Sequence, residues 1–471
     1  MAFLIGGANS AADTAYSVAN SCRFNRGDDP QMSKSLGAPS DADKWTFSAW
    51  VKLTDFGTDR YILSLYTDDN NETGINFENG NSINFANYVS GSYAGRLVPN
   101  QKLRDPSAWY HVVAVWDSGN GTAGNRMRLY LNGAEITSFA TDANPNQDQD
   151  SFNADGVTCV VGRAGTDDYT FGGYMAEVVF CDGQAYAASD FGEFDSDSPT
   201  IWKPKDVSGL TFGNNGFYLD FEASDNLGND VNGGTDLTEA NLAATDQTTD
   251  TPTNNFCTIN PLDYFPTVPA DAEGNTTYNK SSTGDTHNSY ASCTLGAAAG
   301  KWYFELKVGD ANAFHAGMVG MPHAAPDSSG GYSSDSGLYA MNNNGAKTVA
   351  GSDTGSATNT VTTNDIVGMA FDLDNGKFYM SKNGTWENSG DPTSGATGTG
   401  SLGDITLGEF FVPMIGNRNY NATSLHYFNF GNPSYSLSSA VNDGNGYGNF
   451  EYAVPSGYLA LCTKNLGSSG G

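Results

Sequence analysis

Apolar residues in this chain recur at every second position in short runs, and glycine, asparagine and aspartate cut the runs apart. In "WTFSAWVKL", Trp45, Phe47, Ala49 and Val51 fall on one face, and Thr46, Ser48, Trp50 and Lys52 on the other. That is the period of a pleated strand with two different environments. "LYLNGAEI" holds Asn132-Gly133, and "FDLDNGKFYMSKNG" holds Asn375-Gly376 and Asn383-Gly384. Such dipeptides supply the positive φ angles of a tight hairpin. Helical periodicity is almost absent: "ANLAATDQ" and "AYAASDFGEF" read as isolated turns, the second with Ser189 or Asp190 able to cap. The pattern predicts an all-β chain, with two antiparallel β-sandwich (jelly-roll) domains in series behind a short N-terminal arm. The arm is placed at residues 1–20. The first sandwich takes 21–224, closing near "GFYLDFEAS". Residues 225–259 form a connector without periodicity, and 260–471 the second sandwich.

Charge narrows the partners. The chain carries 53 acidic and 22 basic residues, a net charge of −31. Nucleic-acid backbones and anionic membranes are disfavoured, because both need Lys and Arg. No apolar stretch approaches a membrane span, and "MAFLIGGANSAAD" has neither the basic start nor the apolar run of a signal peptide. The N-x-[ST] sequons at Asn71, Asn120, Asn275, Asn279, Asn383 and Asn421 read as accidents of composition. Cys22, Cys159, Cys181, Cys257, Cys293 and Cys462 include no C-x-x-C pair. Cys159 and Cys181 sit in apolar runs, so buried reduced thiols are expected rather than zinc ligands or disulfides.

"WYHVVAVWD" raises the question of catalysis. Trp109, His111, Val113 and Val115 share one face, and Tyr110, Val112, Ala114 and Trp116 the other. Two apolar faces predict a central strand covered on both sides, with His111 packed and hydrogen-bonded rather than catalytic. A retaining glycosidase needs two carboxyl groups about 5–5.5 Å apart. Asp220 and Glu222 in "LDFEAS" are the best such pair, while Glu177 and Glu305 stand alone. There is no G-x-S-x-G elbow and no P-loop. No catalytic residue is therefore assigned, and the alternative to a structural role is a carbohydrate-active enzyme (a glycosidase) or a free lectin. Calcium is a candidate cofactor, with Asp68, Asp69 and Glu72 in "TDDNNETG" as its candidate ligands. "EFDSDSP" (Asp195, Asp197) and "DLDNG" (Asp372, Asp374) are further oxygen-rich turns, and none completes an EF-hand. Sugar stacking is assigned to aromatics on or beside the long Gly-, Ser- and Asn-rich loops: Tyr332, Tyr339, Trp386 and Tyr420.

Family resemblances extend this reading. "WTFSAWVK", "AWYHVVAVWD", "MRLYLNGAEI" and "GGYMAEVVFCDGQAYAASDF" resemble the laminin-G-like form of the concanavalin A-like lectin/glucanase superfamily. "GKWYFELKV", "DIVGMAFDLDNGKFYMSKNG", "FFVPMIG", "HYFNFG" and "PSGYLALCTKNL" resemble an SPRY domain. This order, with a "TDTPTNNFCTINPL"-like link, is similar to virion proteins of marine bacteriophages. The resemblance implies a non-enzymatic structural or adhesion protein, made in the host cytoplasm and displayed on the virion surface as a fibre, tail appendage or capsid decoration. It implies other virion proteins and cell-surface glycans as partners, with no nucleic acid and no membrane insertion. A homo-oligomer, by analogy a trimer, follows from the same resemblance, and the apolar backing of the first sandwich points to a contact with another subunit.

Overall fold

The computed structural model describes residues 16–165, 169–265, 272–281, 288–312, 314–323, 335–356, 358–417, 419 and 422–469. The chain forms two compact units that meet in sequence between Thr253 and Asn254.

In the first unit, one sheet runs in the order Ala134–Glu135, Met127–Leu131, Trp109–Asp117, Lys44–Leu53, Gly173–Asp182, Ser21–Phe24, Gln247–Thr248, with Phe217–Leu219 also pairing to Gly173–Asp182. The second sheet runs Phe139–Ala143, Ser92–Pro99, Ile83–Val89, Asn71–Phe77, Arg60–Asp68, Thr158–Val161, Gln31–Ser35, Thr238–Ala240. These are called the back and front sheets. Trp45, Phe47, Ala49 and Val51 enter the shared core from the back sheet, and Leu63, Ile75, Phe85 and Leu97 from the front. Trp45 ties the layers together: its ring lies 5.5 Å from Phe85 of the front sheet and 6.5 Å from Trp116 of the back. Burying such rings drives the sandwich together, each being worth a few kcal/mol, of the order of 2–3.

The strand containing His111 is central, between Lys44–Leu53 and Met127–Leu131. Both its faces are covered. Val112, Ala114 and Trp116 face the core, while Val113 and Val115 pack under Ala188, Phe191, Val207 and Phe212. This corrects one expectation. The apolar backing of the first sandwich is covered by the chain's own 188–212 segment, not left for another subunit. Within that segment Gly192–Phe194 pairs with Trp202–Pro204, strands of three residues that are too short to show a period in sequence.

The expected connector 225–259 also differs. Thr238–Ala240 and Gln247–Thr248 add an edge strand to each sheet of the first unit. Asp250 is fully buried. Its carboxylate accepts from Lys52 Nζ at 2.7 Å and from Trp109 Nε1 at 3.0 Å, and Lys52 is itself buried. The first unit thus runs to Thr253 rather than to 224. Asp-, Asn- and Thr-rich composition concealed strands too short to show a period.

The second unit packs two further antiparallel layers. One holds Ile259–Phe265, Ser289–Cys293, Phe410–Asn417, Phe314–Met321, Leu338–Asn342, Ala346–Val349 and Ser352–Ser356. The other holds Thr277–Lys280, Ser424–Asn429, Lys301–Val308, Ile366–Asp372, Lys377–Lys382 and Thr385–Trp386, with Gly403–Asp404 beside Lys377–Lys382 and Leu459–Ala460 parallel to Lys301–Val308. Phe304 stacks on Phe371 at 5.9 Å in its core. The hairpin written by "DLDNG" forms, and Asp372 holds its turn by accepting from the amides of Asp374 and Asn375. The two segments read as isolated turns are 3-10 turns, Ala188–Asp190 and Ala244–Asp246. All six cysteines are free and buried.

Asp250→Ala should strand the Lys52 ammonium in the interior and destabilise the first unit by about 3–5 kcal/mol. Urea unfolding followed by tryptophan fluorescence measures this. A loss below about 1 kcal/mol would mean that residues 225–253 are the loose connector they resemble in sequence.

Candidate ligand-binding face

Four consecutive strands of the front sheet, Arg60–Asp68, Asn71–Phe77, Ile83–Val89 and Ser92–Pro99, form an antiparallel meander. Their register sorts side chains into rows. Leu63, Ile75, Phe85 and Leu97 align across the sheet and face the core; the next row, Ser64, Gly74, Ala86 and Arg96, lies on the opposite face. Small side chains therefore floor the centre of the outer face. Tyr66, Glu72 and Tyr88 align on one flank, and Tyr61, Asn76 and Asn84 on the other. Tyr61 joins the outer face because the pairing slips between Tyr61 and Leu63, an irregularity that re-aims one side chain.

Glycine at 74 is needed for this arrangement. A Cβ there would stand 2.7 Å from the Tyr61 ring, so the ring lies over a floor that only glycine leaves open. Tyr66 seats against Gly165 in the same manner. Tyr169 stacks on Tyr61 at 6.3 Å, and Tyr93 packs edge-on to Tyr88 at 5.1 Å. Tyr93 and Tyr169 are 54% and 42% exposed, placing two of the most exposed large rings in the described chain on this one face.

The polar groups are fixed in position. Ser64 Oγ donates to Glu72 Oε1 at 2.5 Å, and Tyr61 OH donates to Glu72 Oε2 at 3.4 Å. Burial, then the Glu72 charge, raises the Tyr61 pKa well above its ordinary value, so the phenol remains a donor. Asn84 Nδ2 donates to Asn76 Oδ1 at 2.7 Å; Arg96 Nε donates to Asn84 Oδ1 at 3.0 Å and its guanidinium pairs with Glu78. The same guanidinium lies 4.5 Å from the Tyr93 ring centre. The exposed rings of Tyr93 and Tyr169 suit the CH surface of a hydroxyl-rich ring, while Asn76 and Asn84, 3% and 7% exposed and bonded to one another, stiffen the sheet beneath. Glycosidic hydrolysis fits the face poorly. Glu72 and Glu78 are six positions apart along extended chain, about 20 Å at the strand rise, far beyond the spacing of a catalytic carboxyl pair.

The residues singled out from sequence lie elsewhere. Tyr332 and Tyr420 fall outside the described residues. Tyr339 is buried in the second core, where its hydroxyl accepts from the Thr406 amide. It cannot stack on a ligand; the Gly- and Ser-rich run before it ends where the strand Leu338–Asn342 begins. Trp386 is half-buried, packed with Tyr303 in a cluster that includes Phe450 and Tyr458. Asp68 accepts from the Asn70 amide and the Asn71 side chain, Asp69 is solvent-exposed, and Glu72 is committed to Ser64 and Tyr61. Among the described residues, no three His, Cys, Asp or Glu side chains converge on a metal-sized point. Asp220 accepts from the amide of Glu222, making a local turn rather than a facing acid pair. Sequence reading missed the meander face. Its legible sign was "GINFENGNSINFAN", in which Ile-Asn-Phe occurs twice around a turn and so pairs Asn76 with Asn84.

His111 is structural. Trp202 Nε1–H donates to its Nδ1 at 2.9 Å, so the ring proton sits on Nε2 and is donated to Ser48 Oγ at 2.8 Å. Trp202 is slotted between Gly133 and Gly192, where a Cβ would strike its ring. Burial lowers the pKa of His111 to about 3, and that of His426 in the second unit likewise.

A family model described as the concanavalin A-like lectin/glucanases superfamily matches residues 27–188, which include the whole meander. No curated protein matches the sequence. Similar solved structures include a native heptameric SAP-like pentraxin from Limulus polyphemus, at 19% identity over 37% of this chain and 80% of that one, TM-score 0.29. The SPRY domain of human HERC1 is similar at 10% identity over 36% and 96%, TM-score 0.29. A candidate carbohydrate binding protein from Bacteroides ovatus is similar at 14% identity over 48% and 61%, TM-score 0.31.

Both imidazoles should remain neutral in the fold down to about pH 3, while unfolded histidines protonate near 6.5. The histidines' contribution to stability is thus complete above pH 6.5 and falls as pH drops, by about 1.4 kcal/mol per pH unit for each histidine. Nitrogen-15 spectra should show His111 as the Nε2–H tautomer, not titrating between pH 8 and 4. A midpoint near 6 would contradict its assigned role.

Proposed function

We propose that this protein is a non-catalytic glycan-binding protein that engages carbohydrate through the outer face of the Arg60–Pro99 meander. The observation that carries the reading is the row of Ser64, Gly74 and Ala86 flanked by Tyr61, Tyr66, Tyr88 and Tyr93, with Asn76, Asn84 and Glu72 held in place beside them. The match of residues 27–188 to a lectin and glucanase superfamily supports it. The ligand class that fits is a neutral polysaccharide. Arg96 is neutralised by Glu78 and Glu72 remains, in a chain of net charge −31, so anionic sugars meet repulsion.

The setting we propose is the surface of a bacteriophage particle, where residues 1–20 would attach the chain to other virion proteins or to sister chains. The order of a laminin-G-like block followed by an SPRY-like block supports this, as does a net charge that keeps copies apart in solution. The protein would then serve host attachment, with the sandwich presenting its tyrosine face to cell-surface glycans.

Tyr93→Ala and Tyr61→Ala should each weaken binding by about 1–1.5 kcal/mol, roughly tenfold in Kd. Affinity electrophoresis in gels containing β-glucan, galactomannan or agarose reads this. Alginate and carrageenan should retard neither wild type nor variant. Gly74→Val should displace the Tyr61 ring and abolish retardation while the protein remains folded. Unchanged retardation in all three variants contradicts the assignment to this face. For the particle, deletion of residues 1–20 should prevent incorporation, and normal incorporation would refute the anchoring role.

A further inference from the structure

Glu177 occupies a position where a carboxylate is costly. It lies in Gly173–Asp182 where the pairing with Lys44–Leu53 slips between Ala176 and Val179, and its φ is +51°. Few side-chain-bearing residues adopt that backbone region. The residue is only 5% exposed. Its Oε2 accepts from Tyr218 OH at 2.8 Å and from Tyr16 OH at 3.0 Å, and the two phenol oxygens are themselves 3.0 Å apart. Asp220 and Glu222 act on Glu177 with like charge, and Asp206 acts on Tyr16. Burial pushes the Glu177 carboxyl up to about 7; the two phenol bonds pull it down, and the neighbouring acids add to the rise.

The three members are not held equally. Glu177 and Tyr218 sit on strands paired to one another through Val178–Leu219 and Val179–Tyr218. Tyr16 belongs to a strap, residues 16–20, that precedes the first strand. Beyond Tyr16, the strap is tied by Val18, whose amide donates to Thr253 Oγ1 at 3.1 Å and whose carbonyl accepts from it at 3.2 Å. Val18 packs on Trp50 and Ala176, beside Trp109 and Trp202. Of the three members, Tyr16 alone lies off the paired strands, and Asn20 Nδ2 adds a bond of the strap to the Thr248 carbonyl at 3.5 Å.

We propose that residues 16–20 form a proton-controlled latch bolted by Glu177: the neutral acid keeps the strap closed on the back sheet, and its ionisation releases it. The direction follows from linkage. Closed, Glu177 holds its proton to about pH 7; open, it returns to the ordinary value near 4.5. Closure is therefore strongest below 4.5, weakens as pH rises through this window, and levels off above 7.

Amide hydrogen exchange of Val18 in the full chain, corrected for the intrinsic exchange rate, tests the latch. Protection should fall by up to about a hundredfold between pH 5 and 8. In Glu177→Gln, which keeps the acceptor and removes the charge, protection should be independent of pH. Tyr218→Phe removes a bond that favours the carboxylate and should move the midpoint upward. A flat wild-type profile, a slope that survives in Glu177→Gln, or a downward midpoint in Tyr218→Phe overturns the proposal. The Tyr218→Phe midpoint decides the matter should the glutamine variant fail to fold.

Discussion

The two-residue period of the Arg60–Pro99 meander is the constraint on which both stability and the proposed function depend. One set of alternate positions, Leu63, Ile75, Phe85 and Leu97, supplies the front half of the sandwich core. The interleaved set, Ser64, Gly74, Ala86 and Arg96, supplies the floor and one polar anchor of the outer face. A slip of one residue in any of these strands would exchange the two sets, sending a serine or an arginine into the core and a leucine onto the surface. The cost of that exchange keeps the register fixed, and the fixed register holds four tyrosines around a glycine-floored row. The face is organised by the core beneath it, with little demand on its own contacts.

Much of this was legible from the chain. The hairpins at Asn132-Gly133 and Asn383-Gly384 form with both residues at positive φ, which a tight hairpin turn requires and these residues tolerate. The two faces of "WTFSAWVKL" and "WYHVVAVWD" divide as their alternation indicates. Less legible were contributions that have no period. Ala188, Phe191, Val207 and Phe212 cover the back sheet from irregular chain, and Asp250 closes a buried ion pair from a segment that looks like linker. The candidate face carries no long glycine-rich loop to mark its aromatics in the sequence. Tyr339 belongs to a core strand instead, whereas the useful tyrosines lie on ordinary strands made accessible by small neighbours.

Burial of a titratable group has opposite meanings at two places in the back sheet. His111 is kept neutral by burial and finds both its hydrogen bonds, with Trp202 and Ser48, so it adds a fixed, unresponsive core element. Burial favours the neutral form of Glu177 by the same physics, yet one of its partners sits on a segment outside the sheet. The difference is mechanical rather than chemical: His111 is bracketed by strand and ribbon, while Glu177 is covered in part by a strap. A lectin-like sandwich with a fixed glycan face and a responsive attachment end would separate recognition from anchoring within one unit.

The most direct test of the central claim is hydroxyl-radical footprinting of the intact protein, with and without a neutral polysaccharide that retards it in gels. Protection confined to Tyr61, Tyr66, Tyr88 and Tyr93 would locate the ligand on the meander face as proposed. Unaltered reactivity at those four tyrosines, with protection appearing between residues 335 and 417 instead, would contradict it.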